Sequence, residues 1–213
     1  MKKNSALTQL LITAMAAVAL CACDKQPTVA EKNEEPVPVE EAVTEDTAST
    51  AAEEESTPKY NAFIDDYNSF EVTSTSLNNG VWNDVVAFPD KGSNKPPQLQ
   101  WSAVDGAELY VIIMDDLDAW DIIHWKSDNV TETSLEEGWA PESEYVGPNP
   151  PTGSTHTYEV YVVALKAPVE RVKGALGGQN LKFEENFKAL DTDAEGNSGN
   201  IIAVGRLPGT VSN

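Results

Sequence analysis

The chain has 213 residues, enough for one domain with a substantial core or for two small ones. Its 35 acidic residues outnumber 14 basic ones, for a net charge of −21. That balance argues against a nucleic-acid binder, which needs a Lys/Arg surface, and equally against docking on anionic lipid through a basic patch.

At the N-terminus, Lys2 and Lys3 precede an apolar run from Leu7 to Leu20. Fourteen residues are too few to cross a bilayer core of about 30 Å, which takes roughly 20. The run suits the hydrophobic segment of a secretory signal, and its end, Leu20-Cys21-Ala22-Cys23, resembles a bacterial lipobox. Cys23 is the acceptor this motif implies, because Cys21 would put the bulky Leu20 where a small residue is wanted. Residues 1–22 are then a lipoprotein signal peptide, and several acyl chains on Cys23 anchor the protein stably. The implied location is the bacterial cell envelope, lipid-anchored and facing the periplasm. Asp24 leans toward inner-membrane retention by similarity to enterobacterial sorting, and the choice of membrane stays open. The two cysteines can build neither a disulfide framework nor a cysteine-rich metal site.

Residues 24–58 hold eleven acidic and two basic residues and no aromatic one. Such a segment buries too little apolar surface to offset the entropy of ordering it. Residues 23–58 therefore read as an acidic, disordered tether of about 30–35 Å root-mean-square span.

From residue 59 the character changes, with aromatic residues spread among short β-prone runs. Strands are predicted at Phe70–Ser76, Val81–Phe88, Leu99–Ala103, Leu109–Met114, Ile122–Val130, Tyr158–Leu165 and Asn200–Leu207. Asn-Asn-Gly, Pro-Asp-Lys-Gly, Val-Asp-Gly and Gly-Pro-Asn-Pro-Pro-Thr-Gly separate them as turns or loops. Tyr158–Leu165 is apolar on both faces, as a strand between two layers should be. Phe183, Phe187 and Leu190 recur at i, i+4 and i+7 and predict a helix over Leu181–Leu190. The expectation for residues 59–213 is one mainly β domain, an antiparallel β-sandwich with minor C-terminal helices.

The chain has only two histidines, and each adjoins an unusual stretch. His124 follows Asp115-Asp116-Leu117-Asp118-Ala119-Trp120, three carboxylates in four positions at the end of an apolar strand. Like charges so close need a local donor or a cationic partner. His156 follows the stiff loop Gly147-Pro148-Asn149-Pro150-Pro151-Thr152-Gly153. It would share a strand face with Tyr158.

These motifs carry a family resemblance. Asn94–Trp101 (NKPPQLQW), Val111–Ala119 (VIIMDDLDA), His124-Trp125, Tyr145–Pro151 (YVGPNPP), His156-Thr157-Tyr158 and the closing Gly205–Thr210 (GRLPGT) occur in the right order. Together they resemble the phosphatidylethanolamine-binding protein family, in its bacterial, Raf-kinase-inhibitor-like branch, over roughly Phe70 to Leu207. The resemblance implies a β-sandwich-like domain with a small, pre-formed cavity for a phosphate-like or carboxylate anion, such as a phospholipid head group. Carried over, Asp116 and Asp118 are the carboxylates of the Asp-x-Asp-Ala motif, His124 and His156 the pocket histidines, and Tyr158 a hydroxyl donor. Gly147, Asn149 and Pro150 belong to the loop whose backbone N–H groups face the anion. Imidazole, phenol and oriented amides are donors to an oxyanion, and burial strengthens each bond. A neighbouring carboxylate would orient a histidine and favour its charged form. The chain departs from the family at Leu117 and Trp120, where prolines are usual, at Thr157, where arginine is, and at Asn149, where cysteine or glycine is.

The function this implies is a lipid-anchored binding module, without catalytic residues, metal or other cofactor. Its partners would be a small anion or phospholipid head group, the membrane and an unidentified envelope protein. The rival readings are a structural or protein-binding β-sandwich using Trp82, Trp125 and Trp139, and a metal hydrolase with His124, His156 and Asp116 or Asp118 as ligands. No Gly-x-Ser-x-Gly or HExxH motif supports a hydrolase. Asp191–Asn197 reads as a solvated acidic turn rather than a calcium loop, since Ile202 stands where the bidentate Glu is needed.

Overall fold

The computed structural model describes residues 60–213. The expected signal peptide, the expected lipidation at Cys23 and the expected tether fall outside the described residues.

Three long strands lie side by side: β6 (Leu109–Asp116), β7 (Ile122–Val130) and β9 (Thr155–Leu165). Before them come β1 (Asn68–Phe70), β2 (Val72–Thr73), β3 (Leu77–Asn78), β4 (Val81–Trp82) and β5 (Leu99–Trp101), with β8 (Ser134–Leu135) between β7 and β9. The short helix α1 (Phe183–Lys188) and the long strand β10 (Ile201–Ser212) close the chain. The main sheet runs β3-β4-β10-β9-β6-β7, with β1 also on β10, and a second sheet runs β2-β5-β8.

Period-2 alternation along the central strands assigns their side chains to two cores. Tyr110, Ile112 and Met114 of β6 join Val160, Val162 and Ala164 of β9 against Leu99 and Trp101 of the second sheet. Leu109, Val111 and Ile113 face the other way, with Tyr161, Val163 and Leu165, against Phe183, Phe187 and Leu190 of the helical layer. That is why Leu109–Asp116 is buried at every position and reads as one continuous apolar run until the aspartates. Each of these fully buried aliphatic side chains contributes roughly 1.5–3 kcal/mol.

The mainly β expectation holds, and two details are corrected. The main sheet is mixed rather than antiparallel: β1 and β4 both pair with β10 in parallel, while β9 pairs with it antiparallel. The predicted strand Val81–Phe88 is a strand only at Val81–Trp82 and then turns into a 3-10 helix at Asp84–Val86. The helix expected over Leu181–Leu190 forms at Phe183–Lys188 and continues as a 3-10 turn at Ala189–Asp191, with Phe183, Phe187 and Leu190 inward. In the acidic turn after it, Asp193 accepts from the N–H groups of Glu195 and Asn197. The Asn197 side-chain amide also donates to it at 2.9 Å, and that bond first, with the backbone ones, holds the Asp193 carboxyl below the usual range.

Candidate functional site

The site forms at the end of the main sheet where β6 stops and β9 starts. Antiparallel register sets Asp116, the last residue of β6, opposite Tyr158 of β9. His156 and Tyr158, two apart on β9, share a face, with ring centroids 6.3 Å apart and planes 25° from parallel. His124 reaches that face through an irregularity in β7. Met114 pairs with Trp125 and Asp115 with Ile123, so His124 is the extra residue of a bulge between them. A bulge re-aims a side chain that strict alternation would send to the opposite core.

His156 Nδ1 lies 2.9 and 3.1 Å from the two Asp116 oxygens. A carboxylate only accepts, so Nδ1–H is the donor. His124 Nδ1 donates to the carbonyl of Val146 at 2.7 Å, and its Nε2 stands 4.0 Å from Asp116 Oδ2. Burial lowers the His124 pKa, against the raising effects of the Val146 carbonyl and Asp116. At His124 desolvation thus outweighs the neighbouring carboxylate. The His124 ring meets Tyr158 edge-on at 5.1 Å. Tyr158 is fully buried, and its hydroxyl makes no well-formed hydrogen bond among the described residues. Burial first, and then the adjacent Asp116 charge, push that phenol above its usual range.

Asp116, His124, His156 and Tyr158 are therefore brought together. Asp118, Gly147, Asn149 and Pro150 serve differently from the sequence expectation. The exposed Asp118 accepts the Thr157 N–H at 2.7 Å, bracing the β6–β7 turn against β9. The Gly147 N–H is not free to face an anion: it donates to Asn94 Oδ1 at 2.7 Å. Glycine is required there because a Cβ would lie 2.4 Å from the Val86 carbonyl oxygen. Asn149 is exposed, and its side-chain oxygen accepts from Asn213, which also donates to the Pro150 carbonyl at 2.6 Å. The loop is thus tied to the last residue of the chain. Trp120, in the position of a usual proline, has φ 52° and is 69% exposed.

Sequence reasoning missed three contributors. Asn94 falls inside the quoted NKPPQLQW motif without a visible role, Val146 acts through its backbone, and Asn213 has no motif at all. It also missed a second polar cluster behind the site, on the other face of β6. There Asp115 is fully buried, and Asn61 Nδ2 donates to Asp115 Oδ2 at 3.3 Å and to the Tyr161 hydroxyl at 2.9 Å. Tyr161 donates to Glu159, which Arg206 clamps through Nε and Nη2 at 2.7 and 2.8 Å. Burial and the charge of Asp121 push the Asp115 carboxyl up to about 9. Asp121 is raised as well, chiefly by burial. Among the described residues, no three His, Cys, Asp or Glu side chains stand where they could share a metal ion.

A curled mixed sheet over a small second sheet defines a known class of β domain. The crystal structure of E. coli YbcL, described as a new member of the mammalian PEBP family, superposes with a TM-score of 0.51 at 21% identity. The "Putative PhosphatidylEthanolamine-Binding Protein (PEBP) Homolog CT736" of Chlamydia trachomatis gives 0.51 at 24%. Each comparison covers 68% of this chain and 99% of the other. The phosphatidylethanolamine-binding protein family model matches residues 72–203, so the chain belongs to that family. It is also 29% identical over 140 residues to "Putative lipoprotein LppC" of Mycobacterium tuberculosis. That match spans 58% of this chain and 65% of the relative.

Proposed function

We propose that this protein is a non-catalytic binding module of the bacterial cell envelope, held to the membrane through Cys23. Its Asp116–His124–His156–Tyr158 cluster takes a small oxyanion, phosphate-like or carboxylate, of the kind a phospholipid head group carries. One observation carries the reading: a buried tyrosine hydroxyl without a well-formed hydrogen bond, set between two histidines and beside Asp116. A buried donor left unpaired costs about 1–3 kcal/mol, which a bound oxyanion would recover. His156, held through Nδ1 by Asp116, keeps Nε2 for a ligand, and protonation of that nitrogen would offset the repulsion between Asp116 and an anion. The lipoprotein name of the mycobacterial relative and the lipobox-like segment support the anchored location.

The test is NMR chemical-shift titration of the protein with phosphate and with phosphoethanolamine, in wild type and in His156→Ala. Saturable shifts at His124, His156 and Tyr158 that weaken in the variant support the assignment. Unchanged binding in His156→Ala removes His156 from the site, and no saturable shift removes the function.

A further inference from the structure

Trp120 and Leu181 are the most exposed large apolar side chains among the described residues, at 69% and 78%. They come from segments 61 positions apart, yet the Asn180 N–H donates to the Trp120 carbonyl at 3.2 Å, which sets Leu181 beside the Trp120 turn. Asn180 also accepts from Asn186 of α1 at 2.6 Å, so the pair is fixed to the helical layer. Residues 120–121 adopt the left-handed region, with φ 52° and 54°, which holds the indole away from the core. Exposing both side chains wastes apolar surface unless something covers them.

The charge around them differs from the rest of the domain. Residues 60–213 carry nine basic and 24 acidic residues. Five of the nine (Lys126, Arg171, Lys173, Lys182 and Lys188) line the three clefts around α1, where only five acidic residues join them. Asp66 and Asp191 also face this side, which is then five basic against seven acidic residues, still far less acidic than the remainder, where four basic residues stand against 17. The chain also enters the domain here. Asn61, Ala62 and Phe63 line a cleft of about 710 Å³ together with Asp121 and Leu181. The residues that lead back toward Cys23 therefore arrive at the same surface.

We propose that this α1 face, with Trp120 and Leu181 as an apolar wedge, is the surface on which the anchored domain lies against the phospholipid bilayer. Tryptophan settles at the level of the head groups, and the long stem of Lys182 lets its ammonium exchange the exposed Glu185 carboxylate, 3.1 Å away, for a lipid phosphate while Leu181 inserts. The inference rests on the anchor at Cys23 and not on the anion reading of the Asp116 cluster.

The test uses the full chain with its acyl anchor, in phosphatidylethanolamine/phosphatidylglycerol vesicles carrying lipids brominated near the carbonyl end of their chains. The difference between wild-type and Trp120→Phe emission isolates Trp120 from the other four tryptophans. The expected result is Trp120 emission at least halved by the brominated lipid, and restored in Leu181→Asp while the protein still floats with the vesicles. Both side chains are exposed, so neither substitution touches a core. Floating protein with unquenched Trp120, or quenching unchanged in Leu181→Asp, overturns the docking face. Protein that does not float overturns anchor and docking face together and leaves anion binding in solution untouched.

Discussion

Asp115→Asn converts a pH-sensitive carboxyl into a neutral group of the same shape, and its effect on stability has a calculable pH dependence. The wild-type carboxyl is fully buried and pushed up to about 9, against an ordinary value of 3.8. Between those values the folded chain holds one proton more than the unfolded chain. The stability this proton provides is full below about pH 4 and drains away as pH rises toward 9. One proton is worth about 1.4 kcal/mol per pH unit. From pH 6 to pH 8 the wild type therefore loses about 3 kcal/mol through this residue, and Asp115→Asn does not. The amide still accepts from Asn61 and donates to Asp121, so the local structure is kept. Urea denaturation of both proteins at pH 6, 7 and 8 reads the effect, together with the change the variant makes in the raised Asp121 carboxyl beside it. The stability difference should move in favour of the variant by about 3 kcal/mol over that range. Parallel profiles would show that Asp115 is already ionised in the folded protein and would refute the reasoning.

Further outcomes follow from the packing around the site. Gly147→Ala places a methyl group 2.4 Å from the Val86 carbonyl oxygen, and thermal or urea unfolding should show a loss of about 1–3 kcal/mol. Tyr158→Phe removes a buried hydroxyl without a well-formed bond, so stability should hold within about 1 kcal/mol or rise. Phosphate affinity in the same variant should fall about five- to ten-fold by NMR titration, the loss of one hydrogen bond. His124 should stay neutral below the usual imidazole range, seen as a late titration of its ring protons. Because the unfolded chain takes up that proton first, stability contributed by neutral His124 is lost as pH falls through about 6.5.

Leu109–Met114 and Tyr158–Leu165 were legible because burial on both faces leaves one signature, a continuous apolar run. Ile122–Val130 forms as predicted, and Tyr158–Leu165 gains only Thr155–Thr157 at its start. Long-range pairing leaves no such mark. Phe70–Ser76 looks like one strand, but Phe70 ends a strand of the main sheet and Val72 begins one of the second. Asn200–Leu207 was expected to stop before Pro208, which lacks an N–H. The strand runs on to Ser212 because Pro208 falls between the segment paired with β1 and that paired with β4.

The candidate site divides along the same line. The shared face of His156 and Tyr158 was readable from strand alternation, and Asp116 was picked out from its neighbours Asp115 and Asp118 only by the family resemblance. The bulge that turns His124 inward depends on how β7 registers with β6 and could not be read locally. Nor could the roles of Gly147 and Asn149, whose partners Asn94 and Asn213 are 53 and 64 positions away in the chain.

Crystals grown in phosphate buffer give the most direct answer about the cluster. The account predicts tetrahedral density within hydrogen-bonding distance of the Tyr158 hydroxyl and of the free ring nitrogen of His156. A well-ordered crystal in which water alone fills that space and the Tyr158 hydroxyl bonds to Asp116 would contradict it.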